Sequence, residues 1–471
     1  MSNLNLDTVL HSKEVSQTEK IRLVLGLSLP AILAQLTSIA MQYIDAGMVG
    51  SLGAEATAAI GLVSSSTWLI GGSCIGISAG FYVQVAQLIG ARRDREAEDV
   101  LRQGLRTVLL LGIAISAIGV LISGRLPLWL GGEASIRKDA SSYFMIYCMM
   151  IPFSLIRQLT GGMMQSTGDM KTPSILSAVV CLLDVVFNMF LIFPTRTVAI
   201  AGMPGLSLTL PGAGRRVTGA ALGTALAEVV ISLLSLYLLA TRNRRISLRN
   251  KGSWKWRKRT MANAARIALP LSFDQIFMCS AYVAGTFIVA RLGTVAVAAN
   301  SLAITAESLC YMPGYGIGAA ATAIIGQTIG AERPDLTRSF SRVSVYLAMV
   351  MMGLTGLLMY LGAPFVFSRL TSSAEVATLG TAVLRTELIA EPLYGASIGC
   401  AGVFRGAGDT LQPSVMNLLS MWCVRILLAA VLVPRMGLRG YWTAMAVELC
   451  FRGTIFLIRL YRGRWMKKAM V

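Results

Sequence analysis

The sequence predicts an all-α polytopic membrane protein with twelve transmembrane helices, arranged as two six-helix lobes. Three observations lead to this fold class. Apolar residues make up 55% of the 471-residue chain and charged residues only 14%, whereas soluble domains carry about 25% charged residues. The apolar residues are concentrated in runs near or above the roughly 20 residues that cross a bilayer. An internal repeat divides these runs into two halves of six.

Twelve apolar runs predict the membrane helices, which we number as spans 1 to 12 in chain order. Their expected ranges are 23–46, 57–80, 103–124, 140–164, 174–194, 218–240, 262–289, 296–323, 341–363, 379–403, 414–434 and 440–461. They divide the chain into a polar N-terminus (1–22), an N-lobe (23–240), a basic linker (241–261), a C-lobe (262–461) and a basic tail (462–471).

The placement of charge predicts the orientation of the chain. The net charge is +19, and basic residues are concentrated in 241–260, 91–106 and 461–470. With an even number of spans, these segments and both termini lie on one side, which the positive-inside rule makes cytoplasmic. We therefore expect a multi-pass protein of the plasma (inner) membrane. The charge is attributed to topology, and no nucleic-acid partner is expected.

Several classes of chemistry are excluded. All eight cysteines fall within predicted spans, where they behave as small apolar residues, so we expect free thiols. His11, the only histidine, lies in the polar N-terminus, which excludes histidine-based metal sites in the membrane. Neither a Walker A pattern nor an HExxH motif occurs, so ATP hydrolysis and zinc catalysis are not expected. An intramembrane enzyme would need a catalytic constellation that the chain lacks. We expect no cofactor beyond a coupling ion supplied by a gradient.

An internal repeat at one fixed offset predicts the two lobes. Residues 52–91 align without a gap with residues 292–331, an offset of 240. The same offset pairs Pro30 with Pro270, Pro152 with Pro392, Gly168-Asp169 with Gly408-Asp409, and Pro173 with Pro413. Because six is even, both halves enter the membrane from the same side, as a parallel repeat about a pseudo-two-fold axis along the membrane normal. After span 5 the offset falls to 219, so a long outer loop near 194–219 adds about 21 residues to the N-lobe.

Four segments resemble the MATE (multidrug and toxic compound extrusion) family. Residues 43–62 are similar to the family's exit from the first helix, and residues 298–331 to its eighth helix. Residues 164–174 and 404–414 are similar to its paired inner turns. The resemblance implies a V-shaped pair of lobes that exports organic cations or other amphipathic compounds in exchange for Na⁺ or H⁺, functioning as a monomer. A lipid-linked precursor flippase of the same wider superfamily is the alternative.

The apolar run 181–193, "CLLDVVFNMFLIF", places Asp184 and Asn188 one helical turn apart on one face. In one branch of the family the N-lobe ion site combines an acid of helix one, an Asn-x-x-x-Asp pattern of helix five and a threonine of helix six. Asp45 and Thr224 match the first and last of these, whereas span 5 exchanges the amide and the carboxylate. The resemblance therefore implies an ion-coupling site at Asp45, Asp184, Asn188 and Thr224, with hydrogen bonding between helices as the structural alternative.

The C-lobe carries a second group of candidates for a substrate site or a second ion site. Asp274 follows the proline of span 7, as in many family members, and Glu307 lies deep in span 8. Another branch places an acid where this chain has Tyr394, and Glu391 lies one turn from that position. A carboxylate at mid-membrane is costly unless it is paired, protonated or hydrated, so each of these acids requires an explanation.

Overall fold

A computed structural model describes residues 6–12, 15–199, 207–243, 245–250 and 252–468. In this part of the chain, ten helices are long and apolar enough to cross a membrane. They correspond to spans 1 to 9 and span 11 and comprise Gln17–Gly50, Ala54–Gly90, Asp94–Ser123, Ala134–Ser166, Lys171–Leu191, Arg216–Arg242, Lys258–Ala290, Thr294–Gly330, Pro334–Leu370 and Leu411–Met436.

The other two predicted spans are helical but differ from this pattern. Span 10 consists of two helices, Ala374–Leu388 and Glu391–Gly406, and the second begins with a proline in its first turn. Span 12 is the helix Leu438–Arg462, whose charged residues lower its mean hydropathy. Span 11 contains a π-helical turn at Ser420–Ile426. The twelve helical segments of the predicted fold class are thus all present.

Several predicted boundaries are wrong in the same direction. Span 1 begins at Gln17 rather than 23, span 2 continues to Gly90 rather than 80, and span 3 begins at Asp94 rather than 103. Hydropathy marks only the part of a helix that suits lipid, whereas backbone hydrogen bonding continues into water. At the start of span 1, a capping box between Ser16 and Glu19 stabilises such an extension.

The extra segment of the N-lobe is not simply a loop. Its described residues form two antiparallel strands, Pro194–Ala199 and Ser207–Ala213, which precede span 6. The Gly/Pro content of 194–219 concealed short runs of β-branched and apolar residues that favour strands.

Short helices and turns complete the structure. A helix Leu6–His11 precedes span 1, a four-residue helix Leu126–Trp129 follows span 3, and a 3₁₀ helix Arg464–Lys468 ends the described chain. All eight cysteines are free.

Each lobe has its own apolar core. In the N-lobe, Leu101 of span 3 and Phe144 of span 4 are buried in one cluster. In the C-lobe, Leu384 of span 10 and Trp442 of span 12 are buried in another. Apolar side chains such as Leu121, which is 82% exposed, lie on the outer faces that suit lipid contact.

The repeat is visible in pairs of contacts where the lobes meet. The Gln87 side chain donates to the carbonyl of Gly406 at 3.1 Å, and the Gln327 side chain donates to the carbonyl of Ser166 at 2.7 Å. Both donors and both acceptors are 240 residues apart. Likewise, a Cβ added at Gly90 would collide with the Gln327 carbonyl, and one at Gly330 with the Gln87 carbonyl. These contacts follow the offset found in the sequence.

The turns after spans 4 and 10 repeat the same geometry. Gly168 and Gly408 have φ angles of +89° and +77°, which glycine adopts without strain. The amides of Asp169 and Asp409 then donate back to carbonyls of the preceding helices, at 3.1 and 2.9 Å. Both turns lie at the end of the molecule that carries the basic segments, which we call the basic end. The lobes are in close contact at that end.

Candidate functional site

The structure brings three of the four N-lobe candidates into direct contact. The Asn188 side-chain amide donates to Asp45 Oδ1 at 3.0 Å and to Asp184 Oδ2 at 3.0 Å. Asp184 and Asn188 lie on one face of span 5, as their spacing predicted, and span 1 supplies Asp45 opposite them. One amide nitrogen therefore links two carboxyl groups that would otherwise repel each other.

Most of this group is buried, and some of its polar atoms lack hydrogen-bond partners. Asp184 and Asn188 are fully buried, while Asp45 is half-buried. Asp184 Oδ1 and Asn188 Oδ1 have no hydrogen-bond partner among the described residues. Buried polar atoms are usually hydrogen-bonded, so two oxygens without partners in one group call for a functional explanation. They are acceptors available to a proton donor or a cation.

Span 6 lies directly against this group, but not through the residue that the sequence predicted. Gly223 contacts Asn188 so closely that an added Cβ would collide with Asn188 Oδ1. The neighbouring Thr224 is half-buried, and its hydroxyl donates to the Ala220 carbonyl of its own helix at 3.2 Å. No direct bond from Thr224 to the acids is present in the described structure, so its role as an ion ligand stays a prediction.

Tyr143 of span 4 was not anticipated from the sequence. It lies within electrostatic range of both Asp45 and Asp184. Tyrosines are common in membrane helices, and only the packing of span 4 against the N-lobe interior distinguishes this one.

The C-lobe contains a second carboxylate–amide contact between its first and fifth spans. The Asn417 amide donates to Asp274 Oδ2 at 3.1 Å, while Asp274 Oδ1 has no partner among the described residues. At the repeat offset of 240, Asp274 corresponds to position 34 rather than 45. The contact therefore lies about three helical turns closer to the basic end than its N-lobe counterpart. Asn417 was missed, although it follows Asp274 by 143 residues, which is also the separation of Asn188 from Asp45.

Three glutamates lie in the interior of the C-lobe. Glu307 of span 8 is 5% exposed, while Glu387 and Glu391 of span 10 are fully buried. All four carboxyl oxygens of Glu387 and Glu391 lack hydrogen-bond partners within the described residues. The acids influence one another electrostatically, so they form one group. Glu387 was missed, although its spacing of four from Glu391 in an apolar run was a usable signal.

The charged residues beside these glutamates are already paired. Glu448 accepts from Arg425 at 2.7 Å and lies 3.1 Å from Arg452, and the Ser420 hydroxyl donates to it at 2.6 Å. The Arg452 guanidinium also lies over the ring of Tyr394, 5.3 Å from its centroid. Tyr394 thus forms part of an aromatic wall, and its role at a substrate site or a second ion site stays a prediction.

The wall continues along span 8. The Tyr311 ring lies edge-on to the rings of Tyr394 and Tyr315, with centroids 5.7 and 5.9 Å away. Aromatic faces beside carboxylates suit organic cations. Among the described residues, no group of three or more histidine, cysteine, aspartate or glutamate side chains is placed to hold a metal ion.

Comparison with known families decides the classification. The family model MatE matches residues 30–190 and 270–431. The chain belongs to the MATE family. The two matches begin 240 residues apart, which is the offset of the internal repeat. As a MATE protein it is a transporter rather than an enzyme, and the predicted family is confirmed.

Curated and solved MATE proteins are similar to this MATE chain over nearly all of its length. "Probable multidrug resistance protein NorM" of Thermotoga maritima is 22% identical, covering 94% of this chain and 93% of its own. A crystal structure of MATE in complex with MaD3S has a TM-score of 0.86 at 21% identity, covering all of both chains. An outward-facing multidrug resistance MATE transporter has a TM-score of 0.85 at 22% identity, covering 97% of this chain and 100% of its own. These likenesses confirm the twelve-helix, two-lobe fold.

Proposed function

We propose that this MATE protein exports small, cationic amphipathic compounds in exchange for H⁺ or Na⁺ by alternating access. The observation that carries the proposal is the Asn188 amide bonded at once to Asp45 and Asp184. Two carboxyl groups within one membrane lobe are costly unless they are protonated, paired or hydrated. The amide donates to one oxygen of each acid and leaves Asp184 Oδ1 and Asn188 Oδ1 without partners, so the site gains free energy by binding a cation or a proton. The multidrug resistance names of the similar proteins support the same function.

Ion binding would act on the packing of spans 1, 5 and 8. Without an ion, the two carboxyl groups of spans 1 and 5 repel each other, and Asn188 holds them together. A proton or cation placed on the free oxygens removes that repulsion and so changes how span 1 packs against span 5. Since span 1 also contacts span 8 of the other lobe, through the Tyr43 hydroxyl and the Thr305 carbonyl at 2.7 Å, such a change is transmitted to the C-lobe.

Both coupling ions fit the donor set in different ways. A proton needs only one carboxyl oxygen to bind to and one neighbouring oxygen that accepts a hydrogen bond from it. Sodium needs several oxygen ligands, which Asp45, Asp184 and the Asn188 Oδ1 atom supply, with the Thr224 hydroxyl one residue from Gly223 as a further candidate. A gradient experiment distinguishes the two ions.

The C-lobe candidates form a separate site for the substrate or a second ion. Asp274 accepts a hydrogen bond from Asn417, while Glu307, Glu387 and Glu391 are buried in the same lobe as the aromatic wall of Tyr394 and Tyr311. A cationic substrate can interact with aromatic faces and with carboxylates at once. Neutralising a buried glutamate by a proton or by a bound cation has the same electrostatic benefit, so the two ligands can compete there.

The orientation follows from charge. We infer that the basic end, with both termini and the linker between the lobes, is cytoplasmic in the plasma (inner) membrane, and that one chain is the functional unit. The close contact of the lobes at that end then corresponds to a transporter closed to the cytoplasm.

Transport into inverted membrane vesicles tests the function. A fluorescent organic cation is the substrate, and sodium and proton gradients are imposed separately. Stimulation of uptake by one of the two gradients is expected and identifies the ion. Uptake that responds to neither gradient would remove the antiporter function.

A further inference from the structure

A short segment precedes the first span of each half. The first leader, residues 6–12, precedes span 1, and the second leader, residues 245–250 and 252–257, precedes span 7. In the first leader, Leu6, Val9 and Leu10 are buried in a C-lobe cluster that includes Ile324 of span 8 and Phe340 of span 9. The segment that leads into the N-lobe therefore packs against the C-lobe.

The second leader packs the other way. Ile246 is fully buried in the N-lobe core with Leu101 of span 3. Glu98, also of span 3, accepts from the backbone amide of Ser247 at 3.1 Å and from the side chain of Asn250 at 2.6 Å. The segment that leads into the C-lobe is thus held by the N-lobe.

The two leaders obey the internal repeat. Ile246 follows Leu6 by 240 residues, and Asn250 follows Leu10 by the same offset. An arginine of the receiving lobe binds the carbonyl at each of these last positions: Arg333 donates to Leu10 at 3.1 Å, and Arg102 donates to Asn250 at 2.6 Å. The leaders are therefore two straps at positions related by the repeat, and each crosses to the other lobe at the basic end, the first as the short helix Leu6–His11 and the second as irregular chain.

One ion pair joins the straps to each other. Asp7 of the first leader and Arg245 of the second are 2.6 Å apart, with side chains 39% and 27% exposed. Asp94, at the start of span 3, lies within electrostatic range of both. Apolar packing holds the first strap to the C-lobe and the second strap to the N-lobe. The contact between the two straps is polar and is reached by water.

We propose that the crossed leaders lock the basic end of the transporter closed, and that the Asp7–Arg245 ion pair is the contact that breaks when the lobes separate there. This inference rests on the proposed alternating access. Opening at the basic end must part Gln327 from Ser166 and Gly90 from Gln327, which lie beside the leaders. A partly exposed ion pair costs little to break, so it forms a reversible latch instead of a permanent join.

Labelling of a cysteine at the junction tests the latch without relying on transport. Ser166 is 1% exposed there, so Ser166→Cys reacts with a water-soluble maleimide only when the basic end opens. The full-length transporter in lipid vesicles is used, with exposed Cys423 replaced by serine. Each rate is corrected with the same variant lacking Ser166→Cys.

Asp7→Arg and Arg245→Asp should each speed labelling about two- to five-fold, the range expected for one partly exposed ion pair. The double exchange of both residues should restore the parent rate. Arg249→Asp, an equal charge change at an exposed position of the second leader, should leave the rate unchanged. Leu10→Ala, which removes apolar packing of the first leader, should speed labelling by roughly tenfold or more.

Equal labelling rates in the parent, Asp7→Arg and Arg245→Asp would overturn the latch while leaving alternating access in place. Failure of the double exchange to restore the parent rate would also overturn it. No labelling of Cys-substituted position 166 in any variant, Leu10→Ala included, would instead show that the basic end does not open, and so would contradict the proposed function.

Discussion

The side-chain amide of Asn188 lies 3.0 Å from Asp45 Oδ1 and so ties span 5 to span 1 across the N-lobe. The same nitrogen holds Asp184 of its own helix. The two carboxyl groups share one amide nitrogen as their hydrogen-bond donor. Binding one proton or cation therefore changes which hydrogen bonds Asp45, Asp184 and Asn188 can form. In the function we propose, this arrangement couples an ion to helix movement.

Gly223→Ala tests how closely span 6 must approach this group. The added Cβ would collide with Asn188 Oδ1, so we expect a loss of about 1–3 kcal/mol in the free energy of unfolding, as for other overpacked sites. Gly26→Ala is the matched control, because no atom lies within 4 Å of its added Cβ. Unfolding curves in detergent should show lower stability for Gly223→Ala alone. Equal stability of the two variants would show that span 6 can move away freely.

Neutralising Glu448 should lower the stability of the protein, whereas neutralising Glu387 should not. Glu448→Gln leaves Arg425 and Arg452 buried without their partner, which should cost about 3–5 kcal/mol. Glu387→Gln removes an acid whose oxygens have no partner, so stability should be unchanged or higher. Thermal unfolding of both variants in the same detergent measures the difference. A destabilised Glu387→Gln with an intact Glu448→Gln would reverse the assignment of structural and functional acids.

The orientation can be tested in the second leader. Lys255 is exposed, so Lys255→Cys should react readily with a maleimide where water reaches it. If the basic end is cytoplasmic, an impermeant reagent should label this cysteine in inverted vesicles and spare it in intact cells. Labelling in intact cells, beyond that of the parent protein, would invert the topology.

Much of the fold was predictable from the sequence because bilayer length and the repeat constrain it strongly. The pairing of Pro30 with Pro270 and of Gln87 with Gln327 gave the offset that the contacts follow. Helix ends and the paired strands Pro194–Ala199 and Ser207–Ala213 were harder to predict, since hydropathy reports lipid contact rather than backbone hydrogen bonding.

The candidate site was only partly predictable. The spacing of Asp184 and Asn188 placed them on one face, and the family resemblance supplied Asp45. Gly223, Tyr143 and Glu387 were missed, because their importance depends on which helix packs beside them. The binding roles of all the candidates stay predictions: Asp45, Asp184, Asn188, Thr224, Asp274, Glu307, Glu391 and Tyr394.

Exchanging the two polar residues of span 5 tests whether charge position matters. The double variant Asp184→Asn with Asn188→Asp keeps both groups on one helical face and moves the charge by one turn. We expect it to recover part of the efflux that Asp184→Asn alone loses, because one acid and one amide still face Asp45. Efflux is measured in cells at matched expression. A double variant as inactive as the single one would mean that the charge must stay at position 184.

The most direct test of the central claim compares wild-type protein with Asp184→Asn in inverted vesicles under the gradient that drives transport. The gradient-driven uptake rate of the variant should be roughly tenfold or more below that of the wild type. Its expression and its unfolding temperature should be normal. Glu55→Gln, a neutralised acid at the exposed start of span 2, should transport like the wild type. Asp45→Asn should match Asp184→Asn, since either change removes one acid of a shared site. Normal gradient-driven uptake by Asp184→Asn would contradict the account and place the coupling acid among Asp274, Glu307, Glu387 and Glu391.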